Sequence, residues 1–72
     1  MAAEREVEYE VFHGARRVAG PFTRVADPDC DMTAQETARA TLDAQRYDRG
    51  IWQYCTVVIR TGLFGSREVR VA

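Results

Sequence analysis

The stretch TAQETARATLDAQRYDRG, residues 33–50, contains a complete helix signature and decides the fold of this chain. Thr33 and Glu36 have the spacing of a capping box, in which the Thr hydroxyl accepts from the Glu N–H and the Glu carboxylate reaches back. Gly50 follows two arginines and suits the left-handed residue that commonly ends a helix. These signals predict a helix over residues 34–49, with a thin buried stripe in which Leu42 is the one large aliphatic side chain.

A strand and a hairpin turn precede this helix. Residues 6–11 alternate glutamate with valine or tyrosine, which predicts a strand with one face in water. His13-Gly14 is typical of a two-residue hairpin turn, because glycine permits a positive φ. That turn would place Glu10 opposite Arg17, as a cross-strand ion pair.

Three further segments complete the pattern of strands. Gly20-Pro21 interrupts the second strand, so we expect an edge strand that bends there, with Phe22 and Val25 still reaching the core. Residues 51–60 form the strongest strand pattern and are apolar or aromatic on both faces, which indicates coverage on both sides. Residues 67–72 alternate again and predict the last strand.

The pattern predicts one α+β domain over residues 1–72, in which about residues 1–5 form a short flexible N-terminus. Its order is ββαββ, with one helix packed on a four-stranded, mainly antiparallel sheet. Over residues 7–71 this order resembles the β-grasp layout of ubiquitin-like and immunoglobulin-binding domains. The resemblance implies that the first and last strands run parallel in the sheet centre. That layout would place the apolar third strand at an edge, so we expect either a dimer that covers it there or a different ββαββ order in which it is central.

Composition limits the classes of function. The net charge is −1, so bulk attraction to nucleic acid is not expected. All ten cations are arginine and asparagine is absent, which favours a high-GC bacterium or phage as the source. Cys30 and Cys55 are too few and too distant for a disulfide framework, so two free thiols in a reducing cytoplasm are expected. Neither a signal peptide nor an apolar membrane span is predicted.

No motif points to catalysis, a metal or a cofactor. Asp27, Asp29 and Asp31 have the spacing of a calcium loop, but Met32 stands where glycine makes the sharp turn. His13 is the only histidine, and no nucleophile is predicted beside it. We therefore expect a non-enzyme without a cofactor.

The exposed apolar residues indicate a protein-interaction module, most simply a homodimer. Trp52, Tyr54 and Val58 would share the face of the third strand that the helix leaves open. Leu63 and Phe64 would form an apolar loop tip of the kind that anchors a partner.

A nucleic-acid-binding accessory protein is the alternative. Arg60, Arg67 and Arg70, together with the aromatic face, would then form a platform for stacking single-stranded nucleic acid. The glutamate row of residues 6–10 would repel phosphates if it lay on the same face.

Overall fold

A computed structural model describes residues 4–63 and 65–72 and confirms the α+β fold in the order ββαββ. The strands are β1 (Arg5–His13), β2 (Arg16–Ala26), β3 (Cys55–Arg60) and β4 (Ser66–Arg70). The helix α1 (Asp31–Ala44) follows β2, and a 3₁₀ helix (Arg49–Tyr54) leads into β3. Arg5 already belongs to β1, whereas residues 1–3 of the expected flexible N-terminus lie outside the described residues.

The four strands form one antiparallel sheet in the order β2-β1-β3-β4. The β-grasp arrangement is therefore wrong, because β1 and β4 are not neighbours and no pair of strands in residues 4–63 and 65–72 is parallel. β3 lies between β1 and β4, which satisfies the expectation of a central third strand. Its helix-side residues Val57 and Ile59 are buried, but Val58 on the opposite face is only partly buried, so the predicted coverage of both faces is not seen within the described residues.

The core lies between α1 and one face of the sheet. β1 and β3 contribute alternate side chains, because successive residues of a strand point to opposite faces. The helix contributes two alanines and Leu42, and the small side chains allow α1 to approach the sheet closely. The buried apolar residues are Val7, Tyr9, Val11, Ala19, Ala26, Ala34, Ala38, Leu42, Cys55, Val57, Ile59 and Val71.

The β1–β2 hairpin forms, but its register differs from the prediction. His13 pairs with Arg16, so the turn consists of Gly14 and Ala15, and Gly14 adopts a φ of 61°. The ion pair between Glu10 and Arg17 is confirmed at 3.2 Å, although Arg17 lies directly opposite Phe12 and reaches Glu10 diagonally.

The prediction that β2 is an interrupted edge strand is confirmed. Register shifts occur beside Val11, where Gly20 adopts a φ of 92° and packs against the β1 backbone. The extra residues change which side chains face inward. Phe22 packs on the core as expected, whereas Val25 is 62% exposed on the opposite face, contrary to the prediction.

Both predicted ends of the helix are wrong. The N-cap is Cys30, and Thr33 lies inside the first turn, where its hydroxyl donates to the Cys30 sulfur. At the other end Arg46 takes the left-handed conformation with a φ of 62°, while the Tyr47 N–H donates to the Leu42 carbonyl. This is a Schellman motif, and it ends the helix well before Gly50.

Residues 51–54, predicted as the start of the third strand, belong to the 3₁₀ helix. Asp48 is its N-cap, and the Asp48 carboxylate accepts from the Gly50 N–H at 2.8 Å. This local turn removes Trp52 and Tyr54 from β3. The alternation of apolar side chains alone could not reveal it, because the turn depends on local hydrogen bonds such as those that the Asp48 carboxylate and carbonyl accept from Gly50 and Ile51.

Candidate interaction surface

The face of the sheet opposite α1 carries a row of alternating charges. Glu10 on β1 accepts from Arg17 of β2 at 3.2 Å and from Arg60 of β3 at 2.8 Å. Arg60 also lies 3.6 Å from the Glu8 carboxylate. The row runs Arg17–Glu10–Arg60–Glu8 across three strands, so most of its charge is neutralised within the sheet.

Glu10 is only 6% exposed although it lies on the uncovered face. The two arginine side chains cover it, so its burial reflects immediate neighbours and not depth in the core. The hydrogen bond from Arg60 is the main cause that lowers the pKa of Glu10; partial burial opposes this effect and Arg17 adds to it. Glu10 therefore remains ionised at neutral pH and holds both cations.

A shallow groove of about 420 Å³ crosses this face between the hairpin turn and β4. Phe12 and Val58 are the larger apolar side chains that line it, and both are half-buried. Val58 thus lies on an open sheet face, as predicted.

Trp52 and Tyr54 do not share this face. Tyr54 is 63% exposed near the β1–β2 turn, with its ring edge-on to His13 at 6.5 Å between centroids. Trp52 is half-buried against the core, and the guanidinium carbons of Arg39 and Arg49 lie 5.6 and 5.3 Å from the centre of its ring system. Two cation–π contacts and core packing both stabilise this position.

Leu63 is 94% exposed in the loop between β3 and β4. This loop is at the opposite end of β3 from Tyr54, and Phe64 lies outside the described residues. The residues predicted to bind a partner are therefore distributed over both ends of the sheet and its open face. They do not form one patch.

The three arginines predicted for nucleic-acid binding are also separated. Arg60 is held by glutamates on the open face, as described above. Arg67 faces the helix side, where it donates to the Pro28 carbonyl at 2.8 Å and lies 2.7 Å from Asp31. Arg70 is exposed on the open face of β4. The predicted common platform is wrong, because alternation along β4 sends Arg67 and Arg70 to opposite faces.

Sequence reasoning missed the free edge of the sheet at β4. β4 pairs with β3 over five consecutive residues without a register shift, and no described strand flanks its other side. The Val71 N–H donates to the Cys55 carbonyl, so alternate residues from Val71 back to Arg67 form the hydrogen-bonded pairs with β3. The intervening N–H and C=O groups, those of Ser66, Glu68 and Arg70, therefore point to the free edge.

Sequence reasoning also missed the environment of Cys30. Its half-exposed sulfur lines a pocket of about 300 Å³ together with Arg24. The Thr33 hydroxyl, 3.2 Å away, is the main cause that lowers the pKa of Cys30, and N–H groups of the first helical turn add to it. Burial instead raises the pKa of Cys55. Cys30 is the N-cap residue and its sulfur accepts from Thr33 in the first helical turn, so its geometry has a structural explanation.

The described residues contain no group of three or more His, Cys, Asp or Glu side chains placed to hold a metal ion. α1, the one α-helix in residues 4–63 and 65–72, is too short and too polar to cross a membrane. Comparison with protein-family models, curated proteins and solved structures found no match, so function has to be inferred from the chain's own residues.

Proposed function

We propose that this chain is a non-catalytic protein-interaction module that associates with a second copy of itself. The observation that carries the proposal is the asymmetry of the two sheet edges. β2 is interrupted by register shifts at Gly20, whereas β4 is regular over its whole length and no strand of the described residues flanks its outer side. Natural sheets protect their edges with bulges and prolines, so a regular edge is the side suited to strand pairing.

Two of the predicted partner-binding residues border this edge. Val58 lies directly opposite Glu68 in the β3–β4 ladder, on the open face. Leu63 is in the short loop that leads into β4 and is almost fully exposed. Both apolar side chains therefore lie next to the strand proposed as the interface, which supports their assignment as partner contacts.

The charges favour this proposal over nucleic-acid binding. Arg60 and Arg67 already bind carboxylates of the same chain, and Glu8 and Glu10 lie on the open face beside Arg60. Phosphate binding there would require breaking these pairs next to fixed negative charge. The two free thiols, Cys30 and Cys55, support a reducing compartment, and we keep the cytoplasm as the proposed location.

Light scattering behind size exclusion tests the proposal. Over a concentration series we expect a mass that rises toward twice the 8.2 kDa of the chain. A mass of one chain at the highest soluble concentration would contradict self-association. Titration of labelled oligonucleotides at two salt concentrations tests the competing function, for which we expect no binding even at low salt.

A further inference from the structure

Glu68 and Arg70 are two opposite charges on the free edge of the sheet. Both side chains are exposed on the open face of β4, two residues apart. Among the described residues neither side chain takes part in an ion pair or a hydrogen bond, in contrast to Arg60 and Arg67. The edge thus presents one carboxylate and one guanidinium, two residues apart on one strand face, without an ion-pair partner among the described residues.

We infer that two copies of the chain pair antiparallel through β4, with Val69 of one copy opposite Val69 of the other. This inference rests on the proposed self-association and specifies its surface and register. Glu68 of each copy then lies opposite Arg70 of the second copy, which forms two reciprocal cross-strand ion pairs. Directly opposed charges of opposite sign stabilise a pair of strands.

Hydrogen-bond geometry leaves few registers to choose from. The edge-facing groups of Ser66, Glu68 and Arg70 have to meet their equivalents in the second copy. Placing Glu68 opposite Glu68 opposes like charges on the open face. Placing Glu68 opposite Ser66 brings Arg67 opposite Arg67 on the helix side. The register centred on Val69 avoids both repulsions.

The same register is compatible with packing around the edge. Its two-fold axis is perpendicular to the sheet, so both helices lie on one side and the two open faces become continuous. Gln35 donates to the Arg70 carbonyl at 2.9 Å, but a carbonyl oxygen has a second lone pair for a strand partner. On the helix side the Val69 side chains of the two copies lie opposite each other, so each has an apolar neighbour.

Charge reversal provides the test. Glu68→Arg and Arg70→Glu should each weaken self-association by about tenfold or more, because two attractive pairs become repulsive in each homodimer. An equimolar mixture of the two variants should restore dimers, since each variant then supplies the charge that the other lacks. The double variant Glu68→Arg/Arg70→Glu should also dimerise. Glu36→Arg, which reverses an exposed charge on α1, is the matched control and should leave association unchanged.

Crosslinking is a second measurement that does not depend on charge. In a Cys30→Ser background, Val69→Cys should form a disulfide-linked dimer under oxidising glutathione, because directly opposed residues of a non-hydrogen-bonded pair are about 4.5 Å apart at Cα. Glu68→Cys should crosslink poorly in this register. Efficient crosslinking through Glu68→Cys would instead support the register that places Glu68 opposite Glu68, and would overturn the inference.

The outcomes separate this inference from the proposed function. If the wild-type chain dimerises and both single variants still dimerise, self-association stands and the β4 register is wrong. If the single variants are monomeric but their mixture does not recover dimers, the reciprocal charge pairing is wrong. If the wild-type chain is monomeric throughout, the proposed function fails and the register fails with it. Circular dichroism of each variant verifies that the monomers compared are folded.

Discussion

Replacing Trp52 with alanine tests whether this side chain belongs to the core or to an interface. A fully buried Trp→Ala change costs about 3–5 kcal/mol of folding stability. Trp52 is only half-buried, which reduces this cost, but the change also removes cation–π contacts with Arg39 and Arg49, worth about 0.5–1 kcal/mol each. We therefore expect a loss of about 2–4 kcal/mol, a large fraction of the roughly 4–11 kcal/mol typical for a domain of this size.

Urea unfolding followed by far-ultraviolet circular dichroism measures the effect of Trp52→Ala. Tryptophan fluorescence cannot be used, because the variant lacks the only tryptophan of the chain. With an m-value of about 1 kcal/mol/M, the unfolding midpoint should fall by about 2 M or more. Tyr54→Ala is the matched control on the same 3₁₀ helix; Tyr54 is 63% exposed, so about 1 kcal/mol or less is expected. A Trp52→Ala midpoint no lower than that of Tyr54→Ala, together with lost association, would refute the core assignment and make Trp52 an interface residue.

Three further predictions concern single side chains. Because Arg60 and Arg17 lower the pKa of Glu10, ionised Glu10 should stabilise the fold above the ordinary glutamate pKa, and this contribution should disappear as pH falls through the lowered value. The difference in unfolding free energy between wild type and Glu10→Gln should therefore be about 1 kcal/mol at neutral pH and should shrink in acid. A difference that does not depend on pH would contradict the role of charge. The Thr33 hydroxyl lowers the pKa of Cys30, so iodoacetamide should alkylate one thiol quickly near neutral pH and the fast phase should vanish in Cys30→Ser; its persistence would assign it to Cys55. Arg46→Gly should raise unfolding stability by about 0.5–1 kcal/mol because Arg46 has a φ of 62°, whereas Arg46→Ala should bring no gain, and equal midpoints for the two variants would argue against backbone strain.

The helix was predictable from sequence, but its ends were not. Residues 34–44 carry the amphipathic spacing, and the structure keeps them helical. Thr33 and Gly50 are good capping signals, but other residues could end the helix at a similar cost in free energy. Cys30 replaced Thr33 as the N-cap, and Arg46 took the left-handed position that was expected of Gly50. Cap choices differ by about 1 kcal/mol, so packing of the neighbouring loops decides between them.

The candidate interaction surface was predictable only in part. Alternation placed Val58 on the open face, and the glycines at 62 and 65 indicated the loop that contains Leu63; both signals are local. The separation of Trp52 from Val58 was not predictable, because it follows from the cap that Asp48 makes for the 3₁₀ helix. The position of Glu68 and Arg70 on a free sheet edge was not predictable either, because it depends on the strand order.

The sequence by itself determined the α+β class, the order ββαββ and which face of β1 is apolar. These properties follow from the spacing of side chains along a few consecutive residues, and that spacing is the same in any arrangement of the strands. Only the tertiary structure decided the strand order β2-β1-β3-β4, the register beside Gly20 and the free edge at β4. Each of these depends on competition between pairings of distant segments, and the order with β3 in the centre buries Val57 and Ile59 between β1, β4 and α1.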